Sequence, residues 1–270
     1  MLNITRYYIK NDCLKPWVKF IWYLEAPDAN ICYKLLPTDC IDIILNLSGD
    51  ISYEIDSKTN YAAPFHINGL RSRYSYIRQT GDIRVFGISF YPFGLYPFVN
   101  KSLACINDKI VDLFMLSTTL AQNLKLSVLN ELITENIVDC IEKTLYLELE
   151  ITESYINKAR LIFDFLELDS DFTIQSFCSE HEVNVKTFTR NVKYYTGYTP
   201  KILHSIKRFQ KTRNQLICQK PSQLLDLAYD NGFADQAHFT REFYKFSGTS
   251  PRAFRKEKST VKENTEYTYR

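Results

Sequence analysis

The sequence predicts an α+β chain: a β-rich N-terminal part, a helical extension, and an all-α C-terminal part made of one helix-turn-helix unit used twice. Three observations carry this prediction. Chain breakers cluster at the front, where residues 1–100 hold six of the nine prolines and five of the eight glycines. The texture then changes: no proline occurs from Asn100 to Thr199 and no glycine from Leu95 to Thr196, and apolar residues recur at helical spacing. Near the C-terminus, a thirteen-residue run repeats an earlier one at an offset of 51.

The β-rich part, residues 1–105, reads as an antiparallel sheet, a barrel or cupin-like. Short runs rich in aromatic and β-branched residues, Trp17–Glu25, Cys40–Ser48, Arg73–Thr80 and Ile83–Tyr91, are the strand candidates. In the last, Val85, Gly87 and Ser89 alternate with Phe86, Ile88 and Phe90, the two-residue period of a strand. Gly49-Asp50 and Gly81-Asp82 are the expected turns. The aromatics here, among them Trp22, Tyr33, Tyr74 and Phe90, suit either an apolar effector pocket or an ordinary barrel core.

Residues 106–168 read as a helical extension, with two or three helices between about Lys109 and Leu168. Val128, Leu129, Leu132, Ile133, Ile137, Cys140 and Ile141 follow helical periodicity. Their broad apolar face suits dimerisation or packing on the sheet. Asp169-Ser170-Asp171 is the expected linker.

Residues 172–258 read as short helices with clear starts. Thr173, Asn184, Thr199, Ser222 and Ser250 are good N-cap types, and Pro200 and Pro251 occupy first helical positions. The repeat aligns Phe188–Pro200 with Phe239–Pro251, sharing Phe, Thr, Arg, Gly and Pro. Each copy has helix-turn-helix layout. In the second, Ser222–Asn231 is followed by a turn at Gly232 and a helix Asp235–Phe246. Phe239, Phe243 and Phe246 then face inward, while Gln236, Thr240 and Arg241 face outward. In the first, Thr173–Glu182 precedes Asn184–Thr196, with Phe188, Val192 and Tyr195 inward and Lys186, Thr189, Arg190 and Lys193 outward. Pro200–Ile217 has no internal breaker and spans about 27 Å as a helix. Such a spacer suits two reading helices set roughly one DNA turn apart. The tail, residues 259–270, is polar and expected to fray.

Charge follows the same division. Asp171–Lys258 holds 15 Lys/Arg against 8 Asp/Glu, a surplus of seven, so with a net charge of +2 the remainder is at −5. A basic part on an acidic body fits a polyanion partner for that part, or simply solvated helix faces. Seven scattered cysteines form no C-x-x-C pair and read as thiols. The four histidines form no ligand-spaced pair, and no phosphate-loop, nucleophile-elbow or dinucleotide motif occurs. No metal, cofactor or enzyme activity is therefore expected. Asp39 and Asp42 read as turn and edge residues. No apolar run approaches the roughly 18 residues of a membrane span, and a cytoplasmic chain is expected.

The run Leu227–Arg255 closely resembles the signature of the AraC/XylS family of bacterial transcription regulators. The resemblance covers about Phe172–Lys258. It implies a seven-helix DNA-binding domain on double-stranded DNA, with a regulatory domain in the remainder that responds to a small-molecule effector, dimerises, or does both. RNA polymerase is an expected partner. By position, the base-reading face falls on Lys186, Thr189 and Arg190 in the first unit. In the second it falls on Gln236, Ala237, Thr240 and Arg241. Thr187, Lys193, His238 and Lys245 are expected phosphate contacts. The first unit departs from the pattern: Glu182 stands where a turn glycine is usual, Phe177-Cys178 replaces Leu-Ala, and Thr212 replaces a common alanine. Leu36–Asp42 and Gly87–Gly94 resemble, more weakly, a sensor-type domain found before such DNA-binding domains. The alternative is that the N-terminal part is a protein-interaction module needing no ligand.

Overall fold

A computed structural model describes residues 2–168, 173–218, 224–260 and 265–269, with side chains within 4–256. Among these described residues nine strands form one sheet: β1 (Leu2–Tyr7), β2 (Val18–Leu35), β3 (Ile41–Asn46), β4 (Ile51–Ile55), β5 (Lys58–Tyr61), β6 (Phe65–Asn68), β7 (Ser75–Phe90), β8 (Ile110–Asp112) and β9 (Thr265–Tyr269). The main path runs β8-β6-β3-β7-β2-β1-β9, with β4 on β7 and β5 on β4. All pairs are antiparallel except β1 with β9.

The expected β-rich start is present, but its strands are longer than the local signals imply. Gly81-Asp82 is no turn. It sits inside β7 opposite Ala29, where the β2–β7 register shifts. Asp28 and Gly81 both take positive φ there, and the Asp82 carboxylate accepts the Asp28 backbone N–H. A bulge absorbs the same residue types that would make a turn. Gly49, at φ +64°, does turn the chain between β3 and β4. Because β8 pairs with β6, the sheet reaches Asp112, past the expected limit at 105.

Alternation sorts side chains onto two faces. Ile41, Ile43, Leu45, Phe86, Ile88 and Phe90 belong to the large core shared with the helices. Leu24, Ile44, Ile83, Val85, Ile51 and Tyr53 form a second, smaller core on the opposite face.

The helices begin with the short α1 (Tyr96–Val99) and α2 (Leu113–Leu116), then α3 (Thr118–Leu129), α4 (Thr134–Leu147) and α5 (Glu153–Glu167). The periodic stretch read from Val128 to Ile141 is thus split between α3 and α4. The break has a local cause: the Glu131 carboxylate accepts the backbone N–H groups of Leu132 and Ile133, ahead of α4. α5 packs on the N-terminal part, where Tyr155 stacks on Trp17, and also against the C-terminal part. Tyr155 lies 5.0 Å from Tyr195, and Phe165 lies 5.3 Å from both Phe177 and Phe188.

Among the described residues six helices follow: α6 (Ile174–Glu180), α7 (Val185–Thr196), α8 (Pro200–Cys218), α9 (Leu224–Asp230), α10 (Gln236–Ser247) and α11 (Pro251–Thr260). The expected linker 169–171 and the expected N-cap Ser222 lie outside the described residues. The tail does not simply fray: Thr265–Tyr269, in the β-prone run TEYTY, pairs in parallel with β1.

Candidate DNA-reading surface

The two helix-turn-helix units are built alike. Asn184 caps α7 by accepting the Lys186 and Thr187 N–H groups, and Asp235 caps α10 by accepting that of His238. In the turn, Val183 N–H bonds to Cys178 C=O and Phe233 N–H to Ala228 C=O, an offset of 50. The helices that follow repeat at 51, and Ala234 is the extra residue. Both helices end in a left-handed glycine, Gly197 and Gly248, whose N–H bonds the carbonyl four residues back. Thr196 and Ser247, one residue before, each donate a hydroxyl to the carbonyl four residues back, Val192 and Phe243.

Inward and outward faces fall where the spacing puts them. Phe188, Val192, Phe239, Phe243 and Phe246 are at most 1% exposed. Burying each such side chain contributes about 1.5–3 kcal/mol. Lys186, Thr187, Arg190, Lys193, Gln236, Ala237, Arg241 and Lys245 are exposed, and Thr189 and Thr240 are half-exposed. Among the described residues, neither Arg190 nor Arg241 has an ion-pair or hydrogen-bond partner for its guanidinium. Lys245 lies over the Phe246 ring at 5.6 Å. His238 is engaged locally. Its Nδ1 accepts the Ala234 N–H, its Nε2 lies 3.6 Å from Glu242, and its ring meets Phe233 edge-on. That ring braces the turn.

The irregular residues of the first unit are accommodated. Glu182 takes φ +52°, the left-handed conformation that Gly232 adopts at φ +71° in the second unit. Phe177 and Cys178 are 1% exposed, with Phe177 against Phe165 and Phe188. Thr212 is fully buried and donates its hydroxyl to the Arg208 carbonyl. A left-handed non-glycine residue costs about 1–2 kcal/mol, while glycine gives back roughly half of that gain through its freer unfolded chain. Glu182→Gly is therefore expected to raise stability by about 0.5–1 kcal/mol, read as a shift of the urea midpoint at unchanged slope. A lower midpoint would show that the Glu182 side chain stabilises the turn.

One interaction that the sequence reading missed holds the second unit in place. Arg208 on α8 makes a bidentate pair with Glu242 on α10, Nε donating to Oε1 at 3.1 Å and Nη2 to Oε2 at 2.7 Å. Its guanidinium lies 4.3 Å from the centre of the Phe233 ring and donates to the Gly232 carbonyl. Both partners are about 15% exposed. The residues are 34 apart, so no spacing rule reveals them.

The N-terminal part meets both units at equivalent points. A Cβ added to Gly197 would meet the Asn107 side chain at 2.4 Å, and one on Gly248 would meet Tyr74 at 2.4 Å. The Tyr198 hydroxyl donates to Asp108 at 2.6 Å, and Lys34 donates to the Ser247 carbonyl at 3.2 Å. These contacts lie at the C-terminal ends of α7 and α10, beyond the first turns that carry Lys186, Thr187, Gln236 and Ala237.

The expected effector residues do not converge. Phe90 is fully buried against Phe98. Tyr33 packs on the smaller core. Tyr74 lies under Gly248. Only Trp22 of the four lines a described cleft, of about 510 Å³, between the sheet and α8. Asp39 and Asp42, read as turn and edge residues, line the same cleft.

Two helix-turn-helix units, capped, turned and ended alike around a shared α8, make the C-terminal part a double helix-turn-helix domain. Residues 177–257 match a family model described as a helix-turn-helix domain, and residues 9–112 match one described as a domain of unknown function (DUF6597). The C-terminal domain is a helix-turn-helix domain of the AraC type. Over 108 residues the chain is 27% identical to the HTH-type transcriptional activator RhaS of Shigella boydii serotype 18. That match spans 39% of this chain and 38% of the relative. Solved structures matched by the chain include ToxT from Vibrio cholerae O395, at 12% identity and a TM-score of 0.45, covering 97% of this chain and 98% of that one. The C-terminal domain of AraT, a response regulator from Geobacillus stearothermophilus, is 24% identical at a TM-score of 0.34, covering 40% of this chain and 90% of that one. Among the described residues no helix is long and apolar enough to cross a membrane.

Proposed function

We propose that this chain is a sequence-specific DNA-binding transcription regulator. It reads two adjacent major-groove segments with α7 and α10, and its N-terminal domain sets its activity. The observation that carries this reading is the repeated arginine. Arg190 and Arg241 occupy the same site of the two units, both exposed and both without a protein partner among the described residues. A guanidinium so placed can grip guanine O6 and N7 together. Thr189 and Thr240 stand beside them on the outward faces, and Lys186 and Gln236 open the two helices. Lys193 and Lys245 follow about one turn on, where phosphate contacts position without specifying. α8, with 19 residues, is about 28 Å long, close to one turn of DNA. On this reading RNA polymerase is the partner through which binding acts on transcription, and the cytoplasm is the place of action.

A second reading concerns the N-terminal domain alone: a module that self-associates or meets a protein without any ligand. The α3–α4 hairpin favours it. Leu132 is 83% exposed and Leu147 71%, with Leu126, Leu129 and Ile133 also exposed. Apolar residues gathered this way mark contact surfaces.

Selection of a random duplex pool by the full chain tests the first reading. The expected product is a motif of two short blocks about one helical turn apart. Retention of DNA that is salt-sensitive but blind to sequence would sink it. The mass of the free chain in the same preparation tests the self-association arm of the second, for which a dimer is expected.

A further inference from the structure

We infer that the groove between α5 and the loop before β2 binds a neutral, planar aromatic molecule through a hydrogen-bond acceptor, a carbonyl or a ring nitrogen, placed on the Trp17 Nε1–H. The groove shares no lining residue with the cleft at α8. This deepens the regulatory part of the function proposed above, and it rests on that reading only for its consequence.

The groove is built by three segments far apart in sequence. Trp17 comes from the loop between β1 and β2, and Tyr91 and Phe93 follow the end of β7. Ile156, Ala159 and Phe163 recur at i, i+3 and i+7 on α5, so one face of the helix forms one wall. The volume of about 600 Å³ lies within the range of small-molecule sites.

Three features select the ligand. The first is a slot of rings. Tyr91 and Phe93 lie nearly parallel, 5.9 Å apart at 13°. Phe163 meets Tyr91 edge-on at 6.0 Å, and Trp17 meets Phe93 edge-on at 6.3 Å. Faces and edges set this way suit a flat aromatic body, stacked on one ring and edge-on to another. Phe163, Ile156 and Ile151 are exposed apolar side chains gathered on the groove, which a ligand would cover.

The second feature is an unmet donor. Trp17 is 4% exposed, and its Nε1 is buried with no hydrogen-bond partner. Nearly all buried polar atoms in folded proteins are satisfied, and an indole N–H only donates, so this one calls for an acceptor. Trp17 is also held in place. Its ring stacks on Tyr155 at 5.3 Å, and its carbonyl accepts the Tyr91 N–H at 3.0 Å. A Cβ on Gly94 would sit 2.0 Å from that carbonyl oxygen, so only glycine lets the two segments meet.

The third is charge. The buried part of the lining, Trp17, Phe93 and Ala159, is uncharged. Lys15 and Arg160, the charged residues of the lining, are both exposed, and Lys15 pairs with Asp12 at 2.6 Å. A carboxylate placed on the Trp17 donor would be buried on one neutral hydrogen bond, which is costly; a neutral acceptor escapes that cost.

The consequence follows from the other side of α5. There Phe165 lies against Phe177 and Phe188 of the first reading unit, and Lys207 on α8 donates to the Leu168 carbonyl at 3.3 Å. A ligand that ties α5 to the N-terminal loop thus favours one placement of that unit.

Calorimetric titration of the full chain without DNA tests this. Coumarin, quinoline and 1-indanone present a flat ring and an acceptor, indole a flat ring and only a donor, and coumarin-3-carboxylate a flat ring and a charge. At least one of the first three is expected to bind with a dissociation constant below about 1 mM. It should bind about fivefold or more tightly than indole or the acid, the effect of one neutral hydrogen bond. Trp17→Phe keeps a ring but removes the N–H, and is expected to abolish the preference over indole. Phe163→Ala, at an exposed position, is expected to weaken the best acceptor probe about tenfold, and it decides alone if Trp17→Phe does not fold. The inference is overturned if no acceptor probe binds at about 5 mM, if indole or the acid binds as tightly, or if both variants bind like the parent. Since no DNA is present, any of these results leaves the DNA-reading proposal standing, and failure of DNA selection leaves this one standing.

Discussion

Arg208→Ala is expected to destabilise the C-terminal domain by about 3 kcal/mol, the usual cost of removing one partner from a buried ion pair. The size follows from where the pair sits. Both side chains are about 15% exposed, so water screens them little, and Glu242 accepts three guanidinium hydrogen bonds. Without Arg208, the Glu242 carboxylate is left with the His238 ring, 3.6 Å away, as its remaining polar neighbour on α10. The Phe233 ring also loses the guanidinium stacked over it. Arg208→Lys restores the charge but not the fork, so it is expected to recover less than half of the loss. Arg208→Ala with Glu242→Ala should be more stable than Arg208→Ala alone, because no unpaired carboxylate remains. Urea unfolding followed by circular dichroism reads all three. A change below about 0.5 kcal/mol for Arg208→Ala would show that α10 is held by its phenylalanines alone. DNA affinity should fall in parallel, since Arg208 joins the reading helix to its spacer.

What the sequence made legible, and what it hid, divides along the range of the interactions. The double unit was readable because its signals are local. Caps lie within three residues of the helices they start, glycines end those helices, and Phe239, Phe243 and Phe246 recur on one face. The first unit shows the limit of that. Glu182 looks like a defect in the motif, yet the backbone takes the same left-handed turn through it at a cost that the packing of Phe177 and Phe188 absorbs. In the sheet, strands were readable but their extent was not. Glycine followed by aspartate signals a turn or a bulge equally, and only the pairing of Ala29 with Gly81 decides between them. β8 is three residues long, too short for any period to show. The groove beside α5 was hidden for a further reason. Trp17, Tyr91 and Phe163 lie in three distant segments, and each alone reads as core, strand or helix face. Aromatic content singled out Tyr33, Tyr74 and Phe90 beside Trp22, because composition cannot tell a ring that lines a cleft from one that fills a core.

Arg241→Ala is expected to cost about 1–3 kcal/mol at one block of the DNA site, roughly 5- to 150-fold, and to leave the other block as it was. Arg190→Ala should do the converse. The case rests on symmetry of position: both arginines sit six residues beyond an N-cap on an exposed face, and the C-terminal ends of both helices are held by the N-terminal domain. Base contact and phosphate contact predict different patterns. A lost base contact relaxes sequence preference at one position and leaves the salt dependence nearly unchanged. A lost phosphate contact weakens every sequence alike and reduces the salt slope by about one, which is the outcome expected for Lys193→Ala and Lys245→Ala. Selection with each variant, followed by affinity measured across salt concentrations, separates the two. If Arg241→Ala relaxes its block while Arg190→Ala only weakens binding uniformly, the first unit anchors and the second reads. Glu182 then marks the unit whose turn has drifted from the shared pattern, and specificity belongs to α10. If both blocks relax independently, the 51-residue repeat is a repeat of function as well as of structure.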